Sequence, residues 1–155
     1  MSTTGMSVLV SNDFMALEPH LVDLLKQAVA GMSPAVHVLT AADLADVQES
    51  KQLTPAVHVV YGGYSIDQDI GTAWRLVHTW YAVAVVRNAA QVRSGAAGRQ
   101  TAGQLAATVA LALADAAVDG AAENLTLISP PTPSYSAPYS YLPTAIQAVT
   151  HFRKP

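Results

Sequence analysis

Cysteine is absent from this sequence of 155 residues. Disulfide frameworks, zinc ribbons and thiol catalysis are therefore excluded, while the redox compartment stays open. Charge is the second scarcity. Eight basic and eleven acidic residues make up 12% of the chain, about half of the roughly 25% usual for a soluble domain. The formal net charge is −3 with no basic stripe, so the counterion release that drives general nucleic-acid binding has no source, and no nucleic-acid sequence recognition is expected. Long apolar runs are missing as well. The longest uncharged one, between Arg99 and Asp115, is rich in alanine and too short to span a bilayer. The first charges are Asp13 and Glu18, which is not the basic start of a secretory signal. No membrane partner is expected. There is no G-x-S-x-G, P-loop or dinucleotide fingerprint. The G-A-A-G at 95–98 precedes a helical pattern without a following Lys and reads as a turn rather than a phosphate cradle.

What the chain does have is alanine, at 28 positions, within a hydrophobic share of 51%. Such a composition either covers part of its surface with another subunit or tolerates a bland exterior. Leu17, Leu21, Leu24, Leu25 and Ala28 form one apolar stripe at helical spacing, with Pro19 suited to the first turn and Gly31 as the stop. Residues 35–39 read as a strand. Thr40 and Asp43 resemble a capping box for one or two helical turns through Val47. Residues 55–61 are a β-branched strand that Gly62-Gly63 should break, leaving an acidic connection to Ala73. Residues 74–87 alternate as a long strand whose second half should be buried on both faces. A Gly/Ala turn at 88–98, with Arg93, leads to a helix over 101–118 with Leu105, Val109, Ala112 and Ala116 as its stripe, punctuated by Gly120. Residues 125–128 and 142–152 read as strands. Between them, S-P-P-T-P-S-Y-S-A-P-Y-S-Y (129–141) favours extended, PPII-like chain outside any sheet. Residues 1–12 read as a loose arm or a short strand. The expected architecture is α+β: a single domain with a mainly antiparallel sheet of about four to five strands and two helices on one face.

Three side-chain groups invite chemistry. His37, His58 and His78 fall on three consecutive strands, and three imidazoles on one sheet face would suit an open zinc site. A half-exposed histidine in an alternating strand is more ordinary, and no carboxylate lies within a few positions to orient a ring. Asp67 and Asp69 would point the same way in extended chain and could pair on a cation, although Asp in a Gly-bounded connection more often forms turns. Tyr135, Tyr139 and Tyr141 either anchor a partner or fold back over the sheet.

The segments also carry a resemblance. F-M-A-L-E-P-H-L-V-D-L-L (14–25) leads to P-A-V-H-V-V-Y-G-G-Y (55–64), and H-T-W-Y-A-V-A-V-V-R (78–87) runs on to A-A-G-R-Q-T-A-G (96–103). In this order they resemble the tail terminator-like proteins of long-tailed bacteriophages, the family of the Mu-like phage small tail protein and the lambda tail terminator, over residues 14–152. The resemblance rests on element order, length and loose patterns. It implies a structural phage or prophage protein of the virion tail, assembled in the bacterial host cytoplasm, without catalytic residues or a cofactor. It implies a homo-oligomeric ring, usually a hexamer, that caps the tail tube, ends its polymerisation and presents a surface for head–tail joining. The partners would be further copies, the tail tube protein and a head–tail connector protein. Interaction residues are then expected in the 62–73 loop and its flank (Tyr64, Asp67, Asp69, Trp74) and in the 129–141 segment (Tyr135, Tyr139, Tyr141).

Other readings remain open at this point: a head-closure or neck protein of similar size, a metal-dependent hydrolase or metal-binding module on His37, His58 and His78, or an adaptor domain with the Tyr/Pro segment as docking arm. Charge placement favours an assembly role. No acidic residue occurs from Leu76 to Ala114, and from Gln100 to Phe152 only Asp115, Asp119 and Glu123 are charged. Subunit contacts are therefore expected along the long strand, the second helix and the C-terminal strand.

Overall fold

Leu17, Leu21, Leu25 and Val29 recur every four residues and all are buried. That stripe fixes the first helix, α1 (Glu18–Val29), each side chain contributing about 1.5–3 kcal/mol by leaving water. Pro19 lies in the first turn, where its missing N–H is no loss. The computed structural model describes residues 12–87 and 96–155. The expectations of an arm over 1–12 and of a turn over 88–98 therefore lie mostly outside the described residues.

After α1 come β1 (His37–Thr40) and a single helical turn, α2 (Ala41–Leu44). The Asp43 carboxylate accepts hydrogen bonds from the Thr40 N–H at 2.8 Å and the Thr40 hydroxyl at 3.1 Å, and these hold its pKa below the ordinary value. A 3-10 turn (Glu49–Lys51) leads into β2 (Ala56–Asp69) and β3 (Ala73–Arg87). Then follow α3 (Ala96–Leu113), β4 (Thr126–Ile128), β5 (Ser134–Ser136) and β6 (Tyr139–Arg153).

The strands form one six-stranded sheet in the order β1-β2-β3-β6-β4, with β5 also on β6. Every pairing is antiparallel except the parallel β1–β2 edge. Register sorts the side chains into two faces. Trp80 lies between Tyr61 and Ile146 and belongs to the main core with Val57, Val59, Ala82, Ala84 and the buried residues of α1 and α3. Both long helices cover this one face, as the apolar stripes require. On α3 the buried stripe is Ala102, Leu105, Val109 and Leu113. The helix ends at Leu113, so Leu113 takes the place expected of Ala112, and Ala116 lies beyond the end. The opposite face has a smaller core of Ala56, Val85 and Tyr139, which buries the second half of β3 from its other side.

Two expectations fail for identifiable reasons. Gly62-Gly63 does not break β2. The register slips by one residue there, a β-bulge in which Gly63 takes φ 95° and the strand continues. The 129–141 segment is not PPII throughout, because Ser134–Ser136 (β5) pairs with the start of β6 in the register Ser134 to Tyr141 and Ser136 to Tyr139. Pro143 is tolerated inside β6 because β5 ends opposite Tyr141 and β4 begins opposite Ala145, so no neighbour on that side asks for its N–H.

Candidate functional site

Past Trp80 the sheet narrows to three strands, residues 64–69 of β2, 73–78 of β3 and 148–153 of β6, which form an arm. On the helix-side face this arm carries Tyr64, Ile66, Trp74, Leu76 and Phe152, since Tyr64 pairs with His78, Ile66 with Leu76, and Trp74 with Phe152. Phe14, from the turn before α1, lies across them with its ring 4.7 Å from Tyr64 and 5.6 Å from Phe152. Trp74 meets Phe152 at 5.8 Å. Together these six residues line an apolar groove of about 150 Å³. Tyr64 is 50% exposed and Ile66 63%. Exposed apolar surface rimmed by polar residues occurs at protein, membrane and ligand contact sites alike.

The floor of the arm is polar but satisfied. His78 is buried, with Nδ1 2.8 Å from the Tyr61 hydroxyl and Nε2 2.7 Å from the Thr150 hydroxyl. Burial lowers the His78 pKa and raises that of Tyr61. A neutral imidazole meets both hydroxyls with one donor and one acceptor nitrogen.

Charged residues brace the arm. A second slip of register falls between Ile66 and Gln68, so Asp67 and Asp69 do not form the pair expected of extended chain. Asp67 accepts from Arg75 Nε at 2.8 Å, and Arg75 Nη1 reaches Glu123 at 2.6 Å. Asp69 accepts from Lys154 Nζ at 2.8 Å and from the Gly71 N–H at 2.9 Å. These partners lower the pKa of Asp69 and of Glu123. Lys154 also lies 4.8 Å over the Trp74 ring. Each carboxylate thus acts as a strut rather than a cation ligand.

The tyrosines of the Pro-rich segment lie at the other end of β6. Tyr139 is buried under Arg87, whose guanidinium is 5.9 Å from the ring centre. Tyr141 accepts from Gln52 Nε2 at 2.9 Å and donates to Glu49 at 3.2 Å. Of the three, Tyr135 alone stands out from the surface, at 60% exposure. The expected cluster is thus divided between core, staple and surface. The histidines do not converge either. His37 pairs with Ala56 and His58 with Leu39 and Val83, on the sheet face opposite the helices, whereas His78 pairs with Tyr64 on the helix face. Among the described residues no three His, Cys, Asp or Glu side chains gather for a metal.

The sequence singled out Tyr64 and Trp74, and both line this groove; it did not single out Phe14, Ile66, Leu76 or Phe152, which line it with them. Reading Gly62-Gly63 as a bulge would have placed Tyr64 and Ile66 on one face. Nothing local marks Phe14 or Phe152, which meet only through the tertiary fold.

These features define a class: an α+β chain with a single sheet whose three-stranded arm carries an aromatic groove. The chain belongs to the phage tail terminator protein family, whose model matches residues 10–154, and that family is one of tail structural proteins. No curated protein matches the chain. Among solved structures it is similar to a chain of the virion of a native gene transfer agent particle, with a TM-score of 0.54 and 19% identity over 94% of this chain and 99% of that one. At that identity the likeness is one of fold. Among the described residues no helix is long and apolar enough to cross a membrane.

Proposed function

We propose that this chain ends the growth of a phage or prophage tail tube. Copies join head to tail in a ring, a hexamer being the form the family resemblance implies. The ring caps the tube, blocks the addition of further tube subunits and leaves its other side for a head–tail connector protein. The work is structural and needs no catalytic group or cofactor. Assembly takes place in the bacterial host cytoplasm, and the product is part of the virion tail.

The observation that carries this reading is the arm. Its three strands project an aromatic groove with half-exposed Tyr64 and Ile66, braced from both sides by ion pairs. A closed ring needs two different complementary patches on each subunit. The arm supplies one. The sparsely charged surface of α3, where Leu111 is 80% exposed, supplies a second. Support from the family membership and from the virion origin of the similar structure points the same way.

The test is tube growth in vitro. With tail tube protein polymerising, added chain should give short tubes of uniform length by electron microscopy, capped at one end. Ile66→Asp places a charge on an exposed position, so the fold should survive while capping is lost. Unchanged tube lengths together with binding to a head-side connector would make it a neck protein instead.

A further inference from the structure

The two borders of the arm are treated differently by the fold. On the β6 side most of the border is covered. β5 pairs with residues 139–141 and β4 with 145–147, the Ala122 N–H donates to the Val149 carbonyl at 2.8 Å, and the Asn12 side chain closes the end. Its Oδ1 accepts from the Arg153 N–H at 2.8 Å, and its Nδ2 donates to the Arg153 carbonyl at 3.1 Å. On the β2 side, β1 stops at Thr40 opposite Val59. From there to Asp69 β2 has β3 on one flank and no described strand on the other. This border displays exposed Val60, Tyr64 and Ile66. It has neither a proline nor a lysine to discourage pairing; its register slips fall at Gly62-Gly63 and between Ile66 and Gln68, and its carboxylates Asp67 and Asp69 are held by Arg75 and Lys154. An edge whose outward backbone groups have no neighbouring strand is a template for a further one.

Residues 6–10 of the chain, M-S-V-L-V, have the composition of such a strand, with two β-branched residues and no charge. They are the residues that directly precede the Asn12 anchor by way of Ser11. Asn12 is fixed on the β6 border, two strand spacings, or roughly 10 Å, from the bare β2 border. A head-to-tail ring joins two different patches of each subunit, and a segment leaving the β6 border of one copy could then reach the β2 border of the next alongside the contact between arm and α3. We propose that residues 6–10 of one copy add as a strand to the free β2 edge, residues 60–69, of the neighbouring copy. The Val side chains would then enter the groove beside Tyr64 and Ile66, and main-chain hydrogen bonds would set the register. The inference rests on the ring reading above and adds the segment that links one subunit to the next.

The absence of native cysteine makes the test direct. One preparation carries Val8→Cys or Leu9→Cys and the other carries Ser65→Cys, so that a disulfide between them must be intermolecular. Paired strands bring Cβ atoms within disulfide reach. Mixed and mildly oxidised in the presence of tube protein, at least one of the two pairs should form a heterodimer on a non-reducing gel, well above the homodimers of either preparation alone. Deleting residues 1–11 should leave the far-UV spectrum and melting temperature intact and weaken self-association about tenfold or more by light scattering. No heterodimer from either pair, or an intrachain disulfide alone in a Val8→Cys/Ser65→Cys double variant, overturns the proposal. If the truncated chain still forms rings as readily as the full chain, this inference fails while the ring reading stands. If the full chain forms no ring even with tube protein, the ring reading itself fails.

Discussion

His78 shows how one buried side chain ties stability to pH. Burial holds the pKa of both His78 and His58 below the ordinary imidazole value of 6.5. Below pH 6.5 the unfolded chain takes up protons that the folded chain refuses, so stability is complete above that pH and declines as pH falls towards the depressed folded values. The melting temperature should therefore drop between about pH 7 and pH 5. A His78→Gln variant, which keeps a hydrogen-bonding side chain without titrating there, should show a shallower fall. A flat wild-type profile would contradict the assignment. Asp69 and Glu123 shift in the other sense and act in a lower window, losing their contribution as pH falls through the carboxylate range. The histidines were visible in the sequence. Their separation onto opposite faces was not, because it depends on the register of β2 against β3.

At the scale of elements, the arm depends on a bulge and a brace. A Cβ placed on Gly62 would lie 2.5 Å from Tyr81 Cε2 and 3.1 Å from the Thr79 carbonyl oxygen. Gly62→Ala should therefore destabilise the protein by about 1–3 kcal/mol through overpacking. A lower denaturant midpoint with an unchanged slope would show it; an unchanged midpoint would mean that Tyr81 swings aside freely. Arg75 links Asp67 to Glu123 and is partly exposed, and ion pairs of that kind contribute about 0–1 kcal/mol. Arg75→Met should thus barely change global stability, yet amide exchange over residues 64–69 should accelerate relative to 56–59. Equal protection in both stretches would remove the brace from the argument. The helix stripe of α1, the capping carboxylate of Asp43 and the alternation of β3 were all readable because each is set by neighbours a few residues away. The hairpin of β5 with β6 was hidden by prolines that suggest irregular chain, yet the outer border of β6 leaves room for one.

For the whole molecule, sparse charge has a measurable consequence. If subunits meet through α3, the arm and β6, few ions are released or screened on association. Raising sodium chloride from about 0.1 M to about 1 M should then change the self-association constant by less than about tenfold, or strengthen it. A steep loss at high salt would shift the contact to the charged struts of the arm, Asp67, Asp69 and Arg75. Exposed apolar residues occur both on the arm, at Tyr64 and Ile66, and away from it, at Leu111 of α3 and Leu127 of β4, so the contact surface is not confined to one element.

The sequence by itself determined the class of fold and the family. Periodicity and capping are local, and the order of helix, strands, Ala-rich helix and closing strands survives without any knowledge of contacts. The tertiary structure decided the site. Only the slip of register at Gly62-Gly63 turns Tyr64 and Ile66 towards Phe14 and Phe152, because a single residue of slip in a strand exchanges its two faces. Only the strand order leaves the β2 border of the arm without a neighbouring strand among the described residues while most of the β6 border is covered, since which backbone groups go unpaired depends on what lies beside a strand and not on the residues within it.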